Sequence, residues 1–209
     1  MEVPVAEALI SPNDEPPLSW AETRALMRSD FQRTVESMGN EGSALKRLFW
    51  RLLPTSQALF WHRISRHLFL RGWRNTAWVI FLVNTYLTRI EIAPTTSIGA
   101  GCFLGHAPVV LCGRIGRRFT LYGYGGLGGG MESRDIGGGS GLPVVGDDVL
   151  MAIRAMVLGP VRIGDGARIG PSCTVTRDVA ARAVVASAPP RTLSTAAAAD
   201  HPASNQEQP

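Results

Sequence analysis

Residues 144–179 read VVGDDVLMAIRAMVLGPVRIGDGARIGPSCTVTRDV. Large aliphatic side chains recur here every six residues, at Val145, Met151, Val157, Ile163, Ile169 and Val175. Glycine follows directly at Gly146, Gly164 and Gly170, and the fourth residue after each aliphatic is small or apolar (Val149, Ala155, Val161, Ala167, Cys173, Val179). A period of six matches neither an α-helix nor a simple hairpin sheet. It reads as a solenoid in which six residues make one short strand and one turn. Three such units close a triangular coil, and the aliphatics stack inside from coil to coil.

The same beat extends upstream. It runs through Ile92, Ile98, Leu104 and Val110, loses one residue, and resumes at Ile115, Leu121 and Leu127, with glycines at Gly99, Gly105 and Gly116. From Leu127 to Val145 there are three further sixes, but their interior positions fall on Ser133 and Gly139, which cannot fill a core. Residues 128–143 are therefore expected to leave the coil as an extruded loop, a feature that often carries function.

Ahead of the coil the chemistry changes. All five tryptophans precede residue 90, whereas twenty of the 23 glycines lie between Gly99 and Gly170. Ser19 and Glu22 form an S-x-x-E capping box, so a helix is expected to run to Met38 and stop at Gly39. Ser43 is expected to cap a second helix that Pro54 ends, and Ser56 a third that ends near Gly72; Trp73 to Thr88 reads as a fourth. In the third, Leu59, Ile64 and Leu68 define an apolar face, with Arg63, Arg66 and Arg71 placed largely elsewhere. The expected organisation is a flexible arm at 1–17, a helical segment at 18–90, a coil domain at 91–191 with its loop at 128–143, and a disordered tail at 192–209. The fold class is α+β, a helical segment followed by a parallel β-helix.

Composition narrows the function. Of 209 residues 45% are hydrophobic and 18% charged, as in a globular protein. No apolar run reaches the roughly 18 residues of a membrane span, and no secretory leader is visible. Cys102, Cys112 and Cys173 are too few and too widely spaced for a disulfide framework or a cysteine-based zinc ribbon, which suits a reducing cytoplasm. The net charge of +4 comes from twenty arginines and one lysine, Lys46, against 17 acids. That excess reads as a solvated surface, and no nucleic-acid partner is expected. His62 and His67 are five apart on a helix, which is not the spacing of a metal pair; packing or capping is their expected role, and no metal is expected.

The repeats resemble those of the left-handed β-helix acyltransferases, and more closely the serine acetyltransferases. SQALFWHRISRHLFLRGW at 56–73 is similar to the helical lead-in of that family, and IEIAPTTSIGAGCFLGHAPVV at 90–110 to its first coil. LYGYGGLGG at 121–129 resembles the stretch before the family's extruded loop, and VLGPVRIGDGARIGPSCTVTRDV at 157–179 its last coils. The resemblance implies an acetyl-CoA-dependent O-acetyltransferase of cysteine biosynthesis, acting on a small-molecule hydroxyl acceptor, with acetyl-CoA as co-substrate. It further implies a homotrimer or dimer of trimers with active sites between subunits.

His106 falls on the family's catalytic histidine. It lies two residues past Leu104 at a coil corner, so its ring is free to point outward, and an imidazole suits general-base work near neutral pH. Glu91, fifteen residues earlier, stands where the family has an aspartate that orients this histidine. The resemblance places the cofactor groove at Ala152, Arg154, Ala155, Gly170 and Arg191, and the acceptor site at Tyr122, Tyr124, Arg134, Ser140 and Leu142. Three departures stand out. Gly105 replaces an aspartate before the histidine. The family's G-D-R-H-P motif becomes Gly139, Ser140, Gly141, Leu142 and Pro143. I-G-A-G-A becomes Met151, Ala152, Ile153, Arg154 and Ala155. The loss of the motif's arginine removes a cation for a serine carboxylate, so free L-serine is expected to be a poor acceptor. A sugar, polysaccharide unit or other hydroxyl metabolite is the alternative acceptor. Altered MAIRA (151–155) and ASAPP (186–190) stretches leave a catalytically impaired structural or regulatory β-helix as a second alternative.

Overall fold

The structure, a computed structural model, describes residues 15–38, 44–130 and 141–188. The expected tail, most of the expected loop and residues 1–14 of the expected arm lie outside them.

Helix α1 (Trp20–Ser37) starts at Ser19 through the expected capping box: Ser19 Oγ accepts from Glu22 N and Ser19 N donates to the Glu22 carboxylate. Helix α2 spans Ala44–Leu52. Helix α3 (Pro54–Leu70) begins two residues before the expected cap, because Pro54 itself occupies the first turn, where a missing N–H is harmless. Ser56 therefore lies inside the helix. Gly72, at φ +88°, ends α3 in a Schellman turn, with Gly72 N donating to Phe69 O and Trp73 N to Leu68 O. Helix α4 runs from Arg74 to Thr88.

The chain then winds into a triangular prism of parallel strands. One face stacks β1 (Ile90–Ile92), β4 (Val109–Leu111), β7 (Gly126–Gly128), β10 (Met156–Leu158) and β13 (Thr174–Val175). The second stacks β2 (Ser97–Ile98), β5 (Arg114–Ile115), β8 (Val144–Val145) and β11 (Arg162–Ile163). The third stacks β3 (Phe103–Leu104), β6 (Thr120–Leu121), β9 (Leu150–Met151), β12 (Arg168–Ile169) and β14 (Val184–Val185). The core is the predicted ladder. Ile98, Leu104, Ile115, Leu121, Val145, Met151, Val157, Ile163 and Ile169 are buried, as are the intervening Cys102, Val149, Ala155 and Ala167. Gly128 closes β7, so the coil is left one residue later than expected.

The beat differs at one place. Val110 is exposed, and Val109 and Leu111 are buried instead. Leu111 pairs with Ile92 on one side and Leu127 on the other, so the interior step is seven residues from Leu104 to Leu111 and then four to Ile115. The coil gains a residue at the 105–108 corner and gives up two at 112–114. A run of three aliphatics, Val109 to Leu111, conceals this slip in the sequence.

The helices cap the first coil. α1 packs on β3, while α3 and α4 pack on β1. Contrary to the amphipathic reading, Arg63 and Arg66 are buried, at 3% and 4% exposure. α3 is enclosed by α1, by α4 and by the coil, so its polar side is covered too. Arg63 forms a two-pronged ion pair with Asp30 (2.9 and 3.2 Å) and donates to the carbonyls of Ile98 and Gly99. Asp30 also accepts from Cys102 N at 2.9 Å. Arg66 donates to Pro94 O and to Glu15, whose carboxylate also takes Ser97 Oγ and pairs with Arg114. The described end of the expected flexible arm is thus tied to the coil through Glu15.

His62 is buried, and neither ring nitrogen makes a well-formed hydrogen bond to a described residue, although the Ile92 backbone lies close to the ring. Burial, reinforced by Arg63 and Arg66, holds it well below the usual histidine range. His67 accepts or donates a 2.9 Å hydrogen bond at Thr23 Oγ and meets Trp20 edge-on, the packing role expected of it. No helix among the described residues is long and apolar enough to cross a membrane.

Candidate active site

The extra residue of the seven-residue step builds a protruding corner between β3 and β4, and His106 stands on it, exposed. The neighbouring coil is shaped to receive it. Gly123 has φ +116°, and a Cβ there would collide with the carbonyl oxygen and Cβ of His106. Gly105 packs against Tyr122 O, where a Cβ would sit 2.8 Å away. Tyr124, in the left-handed region at φ 55°, brings its ring to 6.4 Å from the His106 ring, tilted by 30°. Tyr122 crosses Phe103 edge-on at 6.5 Å. Both tyrosines are about half exposed, and Tyr124 keeps an open aromatic surface beside the imidazole.

Glu91 is the outward residue of β1 and lies in register with Val110 of β4, the strand that the His106 corner feeds. Glu91 thus lies mid-strand on the face that begins at the His106 corner. No hydrogen bond or ion pair joins it to His106; the Glu91 charge helps to raise the Cys112 thiol, after the larger effect of burial.

Among the expected cofactor residues, Ala152 donates its amide to Ile169 O and is half-buried. Arg154 is exposed at the next corner, at φ 61°, and its amide donates to Gly123 O. Glycine adopts this left-handed conformation most readily; here an arginine accepts the strain and projects a guanidinium from the corner. Ile153, 42% exposed, stands beside it. Ala155 is fully buried, with its methyl in the core and its carbonyl accepting from Gly126 N. Gly170 is half-buried against Val185 and Ala186. Arg191, Arg134 and Ser140 lie outside the described residues. Leu142 is 47% exposed and reaches back toward Gly129. The residue that sequence reasoning passed over is Gly123. Its signal was the glycine between two tyrosines, opposite the histidine corner. Among the described residues no group of His, Cys, Asp and Glu is arranged to hold a metal ion.

Residues 143–177 match the family model for the bacterial transferase hexapeptide (six repeats). The chain is 35% identical over 167 residues to the serine acetyltransferase of Mycobacterium tuberculosis, an alignment covering 78% of this chain and 70% of that protein. It is 30% identical over 168 residues to that of Bacillus subtilis, covering 78% and 76%. A crystal structure of serine acetyltransferase isoform 3 from Entamoeba histolytica, in complex with cysteine, superposes with a TM-score of 0.72 at 25% identity. That match covers 85% of this chain but 62% of the Entamoeba one, so this chain spans less than two thirds of that relative. The prism is the left-handed β-helix of the hexapeptide-repeat acyltransferases. Within that class, the chain belongs to the serine acetyltransferase family.

Proposed function

We propose that the protein is an acetyl-CoA-dependent O-acetyltransferase in which His106 is the general base. The observation that carries this reading is the corner itself: an added residue, a glycine-relieved neighbour and an open tyrosine surface, all arranged around one exposed imidazole. His106 takes the proton of an acceptor hydroxyl as its oxygen attacks the thioester carbonyl. The carbon–sulfur bond breaks, and the same imidazole returns the proton to the departing thiolate. Glu91 steadies the charged imidazole once substrate draws the two together. Arg154 meets a phosphate of the co-substrate from the next corner.

Serine is the acceptor that the relatives' names supply. A second reading, a neutral hydroxyl acceptor such as a sugar, is favoured by GSGLP at 139–143, which holds no cation, and by the exposed Tyr122, Tyr124, Leu142 and Ile153, with Arg154 on the next corner assigned to the co-substrate. His106 is open to solvent in the single chain, and we propose that a second copy covers it. A homotrimer, alone or doubled through the helices, places the β-helices side by side. The deciding experiment measures acetyl-CoA thiol release with L-serine and a panel of hydroxylated acceptors. A neutral acceptor exceeding serine tenfold in kcat/KM supports the second reading; serine exceeding all others tenfold dismisses it. No thiol release with any acceptor counts against acetyl transfer itself and returns the catalytically impaired β-helix.

A further inference from the structure

A cavity of about 380 Å³ lies among α1, α2 and α3, lined by none of the residues of the His106 corner. Its apolar lining comes from Met27, Phe31 and Phe60, with Trp20 beside them. Arg24 and Arg28 of α1 and Arg51 of α2 also line it, all three exposed. None of the three pairs with a carboxylate among the described residues, and Arg51 lies over the Phe31 ring at 5.8 Å. The one acid in the wall is Asp30, which is already committed to Arg63 and to Cys102 N.

The first turn of α3 reaches the same space. Its N-cap, Leu53, has no side-chain oxygen to satisfy the leading amides. Ser56, on that turn, is among the lining residues, and its buried Oγ has no hydrogen-bond partner among the described residues. The positive end of a 17-residue helix and three guanidiniums that no described carboxylate pairs surround an apolar hollow of ligand size.

We propose that this cavity binds a small amphipathic organic anion, with an aliphatic or aromatic body among Met27, Phe31 and Phe60 and a single carboxylate or sulfonate facing the arginines. Charge complementarity selects the anion: a neutral body of the same shape would leave the guanidiniums unanswered, and a cation would be repelled. The site is independent of the acyl-transfer reading, since none of its residues belongs to the His106 corner.

The test titrates the full chain with 8-anilinonaphthalene-1-sulfonate, followed by fluorescence. The expected result is saturation at one dye per chain, displacement by octanoate, and at least tenfold weaker displacement by 1-octanol. Arg24→Glu with Arg28→Glu should weaken dye binding tenfold or more. These side chains are exposed, so the thermal midpoint should hold; Arg51→Glu, on a different helix, is the second variant and should weaken binding likewise. Non-saturating binding, displacement by octanol as strong as by octanoate, or indifference of binding to Arg51→Glu and to the double reversal would each overturn the proposal.

Discussion

Arg63 donates to the carbonyl of Ile98 and so stands in for a coil that does not exist. In the next coil the equivalent carbonyl, Ile115 O, is met by Gly99 N from the coil before it. The first coil has no predecessor, and an open row of carbonyls is both unsatisfied and prone to adventitious strand pairing. A side chain from α3 fills the vacancy. Asp30 neutralises that side chain and takes the Cys102 amide as well.

This joint predicts a large mutational effect. Arg63→Met leaves Asp30 buried and unpaired and should destabilise the chain by about 3–5 kcal/mol in urea unfolding. Asp30→Leu should cost a similar amount. The double variant should regain only part of the loss, because Ile98 O and Cys102 N stay without their partners. Full recovery would mean that the pair serves only itself.

Buried His62 predicts a pH dependence. Its folded-state affinity for a proton is depressed, so below its unfolded value of about 6.5 the unfolded chain binds the proton that the folded chain refuses. Stability is therefore intact above that pH and falls as the medium is acidified, with a slope of up to about 1.4 kcal/mol per pH unit. His67 is shifted in the same direction by burial and Arg71 and adds to the fall. Thermal midpoints measured from pH 5 to 8 should show this slope, and His62→Met should flatten it. A slope unchanged in His62→Met would assign the effect elsewhere.

Gly123 ties stability to the site. Its φ of +116° suits glycine alone, and any Cβ meets the His106 carbonyl. Gly123→Ala should lose at least about 1–3 kcal/mol of stability from strain. It should also displace the corner and lower kcat, while Gly72→Ala, at a left-handed helix end with open space around it, should lower stability alone.

The coil was legible in the sequence because its interior is enforced every six residues by a row of aliphatics that nothing else explains. The helices were legible for similar reasons, from Ser19 with Glu22 at one end of α1 and Gly72 at the end of α3. Two things were not. Val109, Val110 and Leu111 are equally apolar, so only pairing with Ile92 and Leu127 reveals which side chains face inward. Arg63 and Arg66 read as surface residues because periodicity records polarity, not the carbonyls that three enclosing elements would bring. At the site, the position of His106 was readable, whereas the burial of Ala155 and the room made by Gly123 depend on the stacking of one coil on another.

The most direct measurement of the central claim is acetyl-CoA thiol release by the full chain and by His106→Ala, at saturating acceptor and equal folded fraction. The general-base account predicts that His106→Ala lowers kcat by about 10²–10⁴-fold, with Glu91→Gln losing less because the base remains. His106→Ala releasing thiol at the rate of the unaltered chain would contradict it.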